Sequence, residues 1–331
     1  MKKRIAYIDI LRGIGILLMV MGHVGFGSRF SHYIHAFHMP LFFVVSGYFY
    51  SAKADLISLA KKRTKTLLIP YLVVGLASCL LSNLLNGSST LLESLQALLI
   101  VDTNNIPYVG AIWFLAVLYL ASILFYFVEK VNSNIIQLMI VIVVSTLGCI
   151  SQSKLPFMLG SVMVAIGFMY VGKKLSQTKY RSYFLELNMI QILIGGIVLS
   201  VSIFINGYVS MRSGLYSNLF LFWVNAVGMC IILMNLCRVI DDWDCLKKIN
   251  EVLKNLSENS IYYLCLNQII ITVFNYLNAS FWHIPTLLFW VAELEGVLLV
   301  IYVVTYVIKN LFKAPQKRVH ESNGICDIRH Y

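Results

Sequence analysis

Charge is what this sequence lacks. Only 12% of its 331 residues are Asp, Glu, Lys or Arg, whereas 59% are hydrophobic and the mean hydropathy is +0.79. An average soluble domain carries about 25% charged residues, so one or two water-soluble cores are excluded. About ten segments of roughly 20 residues would absorb the apolar sequence and leave only short loops. Proline is also scarce, at six residues, and polar low-complexity tracts are missing, which excludes collagen-like, mucin-like and disordered chains. The seven cysteines never form a C-x-x-C pair and fall mostly in apolar runs, so they read as small apolar residues rather than redox or zinc ligands. Acidic residues are the scarcer sign, at 15 against 26 basic, for a net charge of +11. In a chain this apolar that excess concerns membrane orientation, and no nucleic-acid partner is expected.

Apolar runs bounded by polar, Gly or Pro punctuation lie at 5–25, 36–50, 67–85, 111–128, 135–150, 155–172, 190–206, 217–238, 260–278 and 286–309. The expected fold is therefore an all-α integral membrane protein of about ten transmembrane helices. The second run is short for a crossing and opens on Phe37-His38-Met39-Pro40, so a tilted or broken helix is expected there. The fifth and sixth are close enough to form one hairpin. With a cytoplasmic N-terminus, the outer loops hold only Arg29, Lys154 and Arg212, and Arg12 lies within the first run. Every other Lys and Arg then falls inside, which places the N- and C-termini in the cytoplasm. The Lys2-Lys3-Arg4 start mimics a secretory leader, but 16–28 offers no small-x-small cleavage site and the segment reads as a retained first span. The longest outer loop, 86–110, is too short for a domain, though an interfacial helix is plausible from Leu91 to Val101. One membrane-embedded domain over 1–312 and a short cytoplasmic basic tail over 313–331 account for the chain.

The informative residues are polar groups at membrane depth, each costly unless paired or facing water. Arg12 and His23 are eleven positions apart. At 100° per residue they return to one helix face, about 16 Å apart along the axis. A snorkelling arginine and a hydrogen-bonded core histidine would show the same spacing. Gly13, Gly15, Gly22 and Gly25 on the same run suit close packing or room for a substrate. His32, His35 and His38 follow, then Ser46-Gly47. No carboxylate or thiol accompanies the histidines within 23–50, so no metal is expected. Asp9, one turn before Arg12, is placed for an i,i+3 ion pair. Glu293 and Glu295 are acids inside a late run, suited either to orienting His23, to binding hydroxyls, or to structure. Trp113 and Phe114 begin a run and suit an aromatic belt, stacking on an apolar ring face or the lining of a tunnel.

The succession Asp9-Ile10-Leu11-Arg12-Gly13, the ten residues between Arg12 and His23, Phe37-His38-Met39-Pro40-Leu41-Phe42-Phe43, Ser46-Gly47-Tyr48, Leu68-Ile69-Pro70-Tyr71 and Trp113-Phe114-Leu115 resembles the integral-membrane acyltransferase-3 family. Within it, the match is to sugar O-acetyltransferases related to fucose 4-O-acetylase. The resemblance implies transfer of an acetyl or other acyl group from cytoplasmic acetyl-CoA to a hydroxyl of a cell-envelope or exported polysaccharide. It implies a multi-pass protein of the cell (plasma or inner) membrane, compatible with a homo-oligomer. By position, Arg12 and His23 fall on the family's essential basic-x10-His pair, His38, Ser46 and Gly47 on its second motif, and Trp113 and Phe114 on its third. Two positions depart from the pattern: Thr66 where many members have a second arginine, and Asn267 where many have a histidine.

On that reading a sugar hydroxyl needs a proton acceptor, and His23 is the expected catalytic base, with transient acyl-imidazole relay as the other possibility. Arg12 shares the catalytic assignment. Arg12, Lys62, Arg63 and Lys65 form the expected contact set for the anionic donor, and His38, Ser46, Trp113, Phe114 and Glu293 that for the acceptor. A polysaccharide or lipid-linked sugar transporter is the alternative, but its inverted repeats are not evident, because the unusual residues crowd into the first 115 positions. A structural partner of a synthase is the third reading, and it predicts that His23 is dispensable.

Overall fold

The structure is a computed structural model that describes residues 5–52, 55–86, 91–102, 105–151 and 155–311. Lys2, Lys3, Arg4, Lys53, Lys154 and the 313–331 tail lie outside the described residues. In chain order the helices are α1 (Ala6–Val24), α2 (Ser28–His35), α3 (His38–Tyr48), α4 (Leu56–Arg63), α5 (Ile69–Asn86), α6 (Leu91–Ile100), α7 (Trp113–Glu129), α8 (Asn134–Ser151), α9 (Leu159–Leu175), α10 (Thr178–Phe184), α11 (Met189–Asn206), α12 (Leu219–Asp241), α13 (Lys247–Glu258), α14 (Ser260–Leu277) and α15 (Thr286–Leu311). A π-helical turn, Thr64–Leu68, joins α4 to α5, and a 3-10 turn, Gly110–Ile112, leads into α7. Among the described residues there is no strand, only an isolated bridge between Ser210 and Leu215.

Local chemistry sets several boundaries. Asp55 caps α4 by accepting from the Ser58 amide at 3.1 Å, and Asn188 with Gln191 forms a reciprocal capping box on α11. The first helix stops at Gly25, whose φ of 91° is left-handed backbone that a glycine adopts at little cost.

Among the described residues nine helical segments are long and apolar enough to cross a membrane. The tenth expected span is the exception. Its helix, α3, has 11 residues and so extends only about 16 Å. It is nevertheless enclosed, with Leu41, Phe43 and Val44 buried, and it runs back along α1. Phe42 lies against Gly15, and the Tyr48 hydroxyl is 3.4 Å from that of Tyr7. A short helix is tolerated because protein rather than hydrocarbon surrounds its ends. The anticipated hairpin of the fifth and sixth runs is the packed pair α8 and α9, and the outer-loop helix is α6, tied to α5 by the Tyr71 hydroxyl donating to the Leu98 carbonyl at 2.7 Å.

At the centre stands α1, with Ile8, Ile10, Leu11 and Val20 sealed from the surface and α3, α12, α13 and α14 packed around it. Large apolar side chains such as Leu84, Ile190 and Ile205 are exposed on the peripheral helices, as expected where lipid is the solvent. Small residues permit the tightest crossings. A Cβ on Gly47 would strike the Met169 carbonyl, and one on Gly172 the Val44 carbonyl, so the α3–α9 crossing depends on both. Of the glycines on α1, Gly13 meets the Leu253 backbone, Gly15 meets Phe42 and Gly22 meets Ile34, so these three serve packing, while Gly25 is the cap and has open space beside it.

Gly172→Val is therefore expected to destabilise the protein by about 1–3 kcal/mol or more, read as a lower thermal midpoint in detergent. Gly196→Ala is the control, since its added methyl meets only an Ile232 side-chain carbon at 3.8 Å. Equal midpoints for the two variants would contradict the close crossing.

Candidate active site

The expected stripe on α1 is present, and its polar groups are held from the far end of the chain. An Arg12 nitrogen lies 3.7 Å from the Asp9 carboxylate, and its other terminal nitrogen donates to the Ser260 hydroxyl at 3.5 Å. The Ser257 hydroxyl in turn donates to Asp9 at 3.4 Å. Farther along the helix, Gln268 Nε2 donates to His23 Nδ1 at 3.0 Å. The other end of that amide is fixed too, because Gln268 Oε1 accepts from the Ala111 backbone N–H at 3.2 Å. Gly110 leaves the space for this arrangement, since a Cβ there would sit 2.7 Å from an Arg212 nitrogen and 3.1 Å from Gln268 Oε1.

Two cavities follow the stripe. The larger, of about 740 Å³, is lined by Arg12, Ser46, Lys62, Arg63, Phe114 and Ser260 among others. The smaller, of about 320 Å³, is lined by His23, His35, His38, Trp113, Arg212 and Gln268 among others. Ile16, Phe42 and Leu264 line both, so the two chambers are separated by a wall one side chain thick. Phe42 is braced in that wall by Gly15 behind it and by the Phe114 ring at 5.6 Å.

The cationic chamber carries an unsatisfied donor: Arg63 Nε is buried and has no hydrogen-bond partner among the described residues. The histidine chamber is polar yet holds no carboxylate in its lining. On its rim, burial pushes the His35 imidazole below its ordinary value of 6.5, while the Ser31 carbonyl, 2.7 Å from Nδ1, holds it up in part. Burial also lowers Arg212, and the Asp102 charge opposes that. His38, 5% exposed, places Nδ1 2.8 Å from the Ile34 carbonyl, with the His35 ring 4.9 Å away and edge-on. Among the described residues no group of three His, Cys, Asp or Glu is arranged to hold a metal ion.

Several sequence expectations land elsewhere. Lys65 lines neither chamber and lies on a shallow outer groove with Lys61 and Ile69. The physical reason is the π turn, whose wider winding keeps positions 62 and 66 on one face and rotates 65 away. Thr66, noted as a departure from the family pattern, does line the cationic chamber. Ser46 and Phe114, expected at the acceptor, line that chamber rather than the histidine one. Asn267 is buried and donates to the Tyr263 and Leu264 carbonyls, so its neighbour Gln268 is the residue that meets His23. Gln268 was not singled out by the sequence, since a lone amide has no periodic signal, and Arg212 was read only as an outer-loop charge.

Glu293 lines neither chamber. It is fully buried and accepts from Asn275 Nδ2 at 2.9 Å, tying α15 to α14, while Glu295 is exposed. Glu293→Gln is expected to keep that tie and the thermal midpoint. Glu293→Ala, which leaves Asn275 without it, should destabilise by about 1–3 kcal/mol. If the alanine variant unfolds at the wild-type midpoint, the tie has no structural weight.

The comparisons with known proteins extend over the same architecture. No curated protein and no solved structure matches the chain. Residues 5–308 match the acyltransferase-3 family, described as an acyltransferase domain. That match covers every helix that lines the two chambers, and the chain belongs to the acyltransferase-3 family as a multi-pass membrane acyltransferase.

Proposed function

We propose that this protein transfers an acetyl group from cytoplasmic acetyl-CoA to a hydroxyl of a cell-envelope or exported polysaccharide sugar, in the cell membrane. The observation that carries this reading is the pair of chambers stacked along α1 and parted only by Ile16, Phe42 and Leu264. A thioester and an alcohol must come within about 3–3.5 Å for the new bond to form. Two chambers that share Ile16, Phe42 and Leu264 in their linings bring substrates entering from opposite sides to one junction, where displacement of the Phe42 ring lets them meet.

The donor belongs in the larger chamber. Its phosphates are anionic, Arg12, Lys62 and Arg63 supply the opposite charge, and the unpartnered Arg63 Nε suits an anionic oxygen. The first described helix begins and the last ends at this end of the bundle: α14 starts beside Arg12, and α15 runs antiparallel to α14 through the Asn275–Glu293 and Tyr263–Leu298 bonds. That supports placing both termini and the donor mouth in the cytoplasm, where the Lys and Arg excess belongs. The acceptor belongs in the histidine chamber, where Trp113 offers a ring face and His23 stands above the wall. Arg12 serves the donor and His23 the reacting end of the acceptor.

Glycan O-acetylation is expected to vanish in cells making His23→Ala at wild-type membrane abundance, a loss of at least about 100-fold in transfer. Arg63→Ala should weaken acetyl-CoA binding to the purified protein by about tenfold or more, from loss of a charge-assisted contact, read by titration. Wild-type acetylation in the His23→Ala strain would refute the site.

A further inference from the structure

In the histidine chamber the hydrogen-bond partners fix which ring nitrogen of each imidazole carries the proton. A backbone carbonyl only accepts, so a ring nitrogen at hydrogen-bond distance from one must be protonated. His38 Nδ1 faces the Ile34 carbonyl at 2.8 Å, and His35 Nδ1 faces the Ser31 carbonyl at 2.7 Å. Both neutral rings therefore carry Nδ1–H and present a lone pair at Nε2. His23 is reversed. A backbone N–H only donates, so the Ala111 amide holds the oxygen of Gln268 toward itself. The NH₂ end of Gln268 must then point at His23 Nδ1, which accepts. The neutral His23 ring consequently carries its proton at Nε2, the opposite tautomer from His38.

We infer that the acid–base roles in this chamber are divided, with His38 Nε2 as the proton acceptor for the sugar hydroxyl and His23 Nε2–H as a neutral hydrogen-bond donor to the thioester oxygen. The inference rests on the acyl-transfer reading above and changes the role expected of His23 from the sequence. Three further observations favour it. Among the described residues the chamber lining holds no Asp or Glu, which leaves an imidazole as the base there. His38 is one helical turn before Phe42 on α3, which places it next to the wall through which the thioester is reached, whereas His35 lies on α2 and farther from that wall in sequence. Among the described residues His38 Nε2 makes no hydrogen bond, which leaves it for substrate.

The step balances without further reagents. His38 Nε2 takes the hydroxyl proton as the sugar oxygen bonds to the thioester carbon, and His23 Nε2–H hydrogen-bonds the carbonyl oxygen as negative charge builds there. The C–S bond then breaks, coenzyme A leaves as thiolate, and the proton on His38 passes to that sulfur. The products are the sugar ester and the thiol, and both imidazoles end neutral. A neutral imidazole in the donor role is chemically reasonable because it supplies a hydrogen bond without having to lose its proton. Gln268 is a positioning residue here, since it acts only through His23.

Two measurements test this. Nitrogen-15 histidine spectra of the full-length wild-type protein in nanodiscs, assigned by loss of one ring signal in His23→Gln and in His38→Gln, are expected to show Nε2–H at His23 and Nδ1–H at His38. The opposite tautomer at either residue overturns the assignment, and this readout needs no acyl donor. The second uses hydroxylamine as acceptor with acetyl-CoA, scored as acetyl-hydroxamate. Its nitrogen attacks through a lone pair and needs no base beforehand. His38→Gln is expected to lose about 10²–10⁴-fold in glycan acetylation yet to form hydroxamate within a few-fold of wild type. His23→Ala is expected to lose both, hydroxamate included, by about 10²–10³-fold. Any other pattern, such as hydroxamate lost in His38→Gln or retained in His23→Ala, overturns the division of roles. If the wild type itself forms neither product from acetyl-CoA, the acyl-transfer reading fails instead, and the tautomer pair stands or falls on the spectra.

Discussion

The opening helix is locked to two helices near the far end of the chain: Asp9 to Ser257 at the end of α13, and Arg12 and His23 to Ser260 and Gln268 on α14. Inside a bilayer no water is available to satisfy these groups, so each must find its partner within the protein. Because α1 and α14 run in the same direction, the partners appear in the same order on both. This polar ladder sets the rotation of α1 about its axis, and with it the direction in which a fixed cation and an imidazole point. The apolar packing of Ile8, Ile10, Leu11 and Val20 holds α1 in the centre, the close contacts of Gly13 and Gly15 allow one face toward Leu253 and Phe42, and the hydrogen bonds add their own narrow range of angles.

From that fixed stripe the two chambers follow. The close crossing of α3 with α9, permitted by Gly47 and Gly172, draws α3 beside α1, and the Phe42 side chain then fills the gap over Gly15. A wall of three apolar side chains stands between the cationic chamber and the histidine chamber. Arg12 is held by Asp9 and Ser260 at one end, and the imidazoles sit in a lining without carboxylates at the other. Among the described residues the lining brings the imidazoles no carboxylate, and the Asp102 charge acts on Arg212 at the same chamber.

Much of this was legible in the sequence, and the parts that were not share a cause. The helical class followed from hydropathy, and the Arg12–His23 stripe from an eleven-residue spacing that a 3.6-residue period places on one face. The Asp9–Arg12 pair followed from i,i+3 proximity and is present. What failed depended on local winding or on tertiary placement. Lys65 was grouped with Lys62, correct for an α-helix and wrong for the π turn that occurs there. Asn267 drew attention at a position where Gln268 meets His23, because adjacent residues on a helix point about 100° apart and a motif offset of one cannot be resolved without knowing the rotation. Arg212 was counted as an outer-loop charge, whereas the loop bridged by Ser210 and Leu215 folds it into the lining of the histidine chamber. Glu293 combined rarity with membrane depth, the usual mark of function, yet its partner Asn275 shows how one buried carboxyl can instead staple two helices.

The amide of Gln268 shows why such a site is hard to read one residue at a time. Its effect on His23 depends on the Ala111 N–H at its other end, which in turn depends on the 3-10 turn leading into α7 and on the missing side chain of Gly110. Remove the backbone donor and the amide can turn over, offering its oxygen to Nδ1 and leaving the lone pair at Nε2 instead. The protonation pattern of the site is therefore a property of five segments, α1, α2, α3, the 3-10 turn before α7 and α14, and none of them specifies it alone. A glycine before the Trp113-Phe114 pair then matters for proton placement as much as for packing, a role that its own chemistry does not announce.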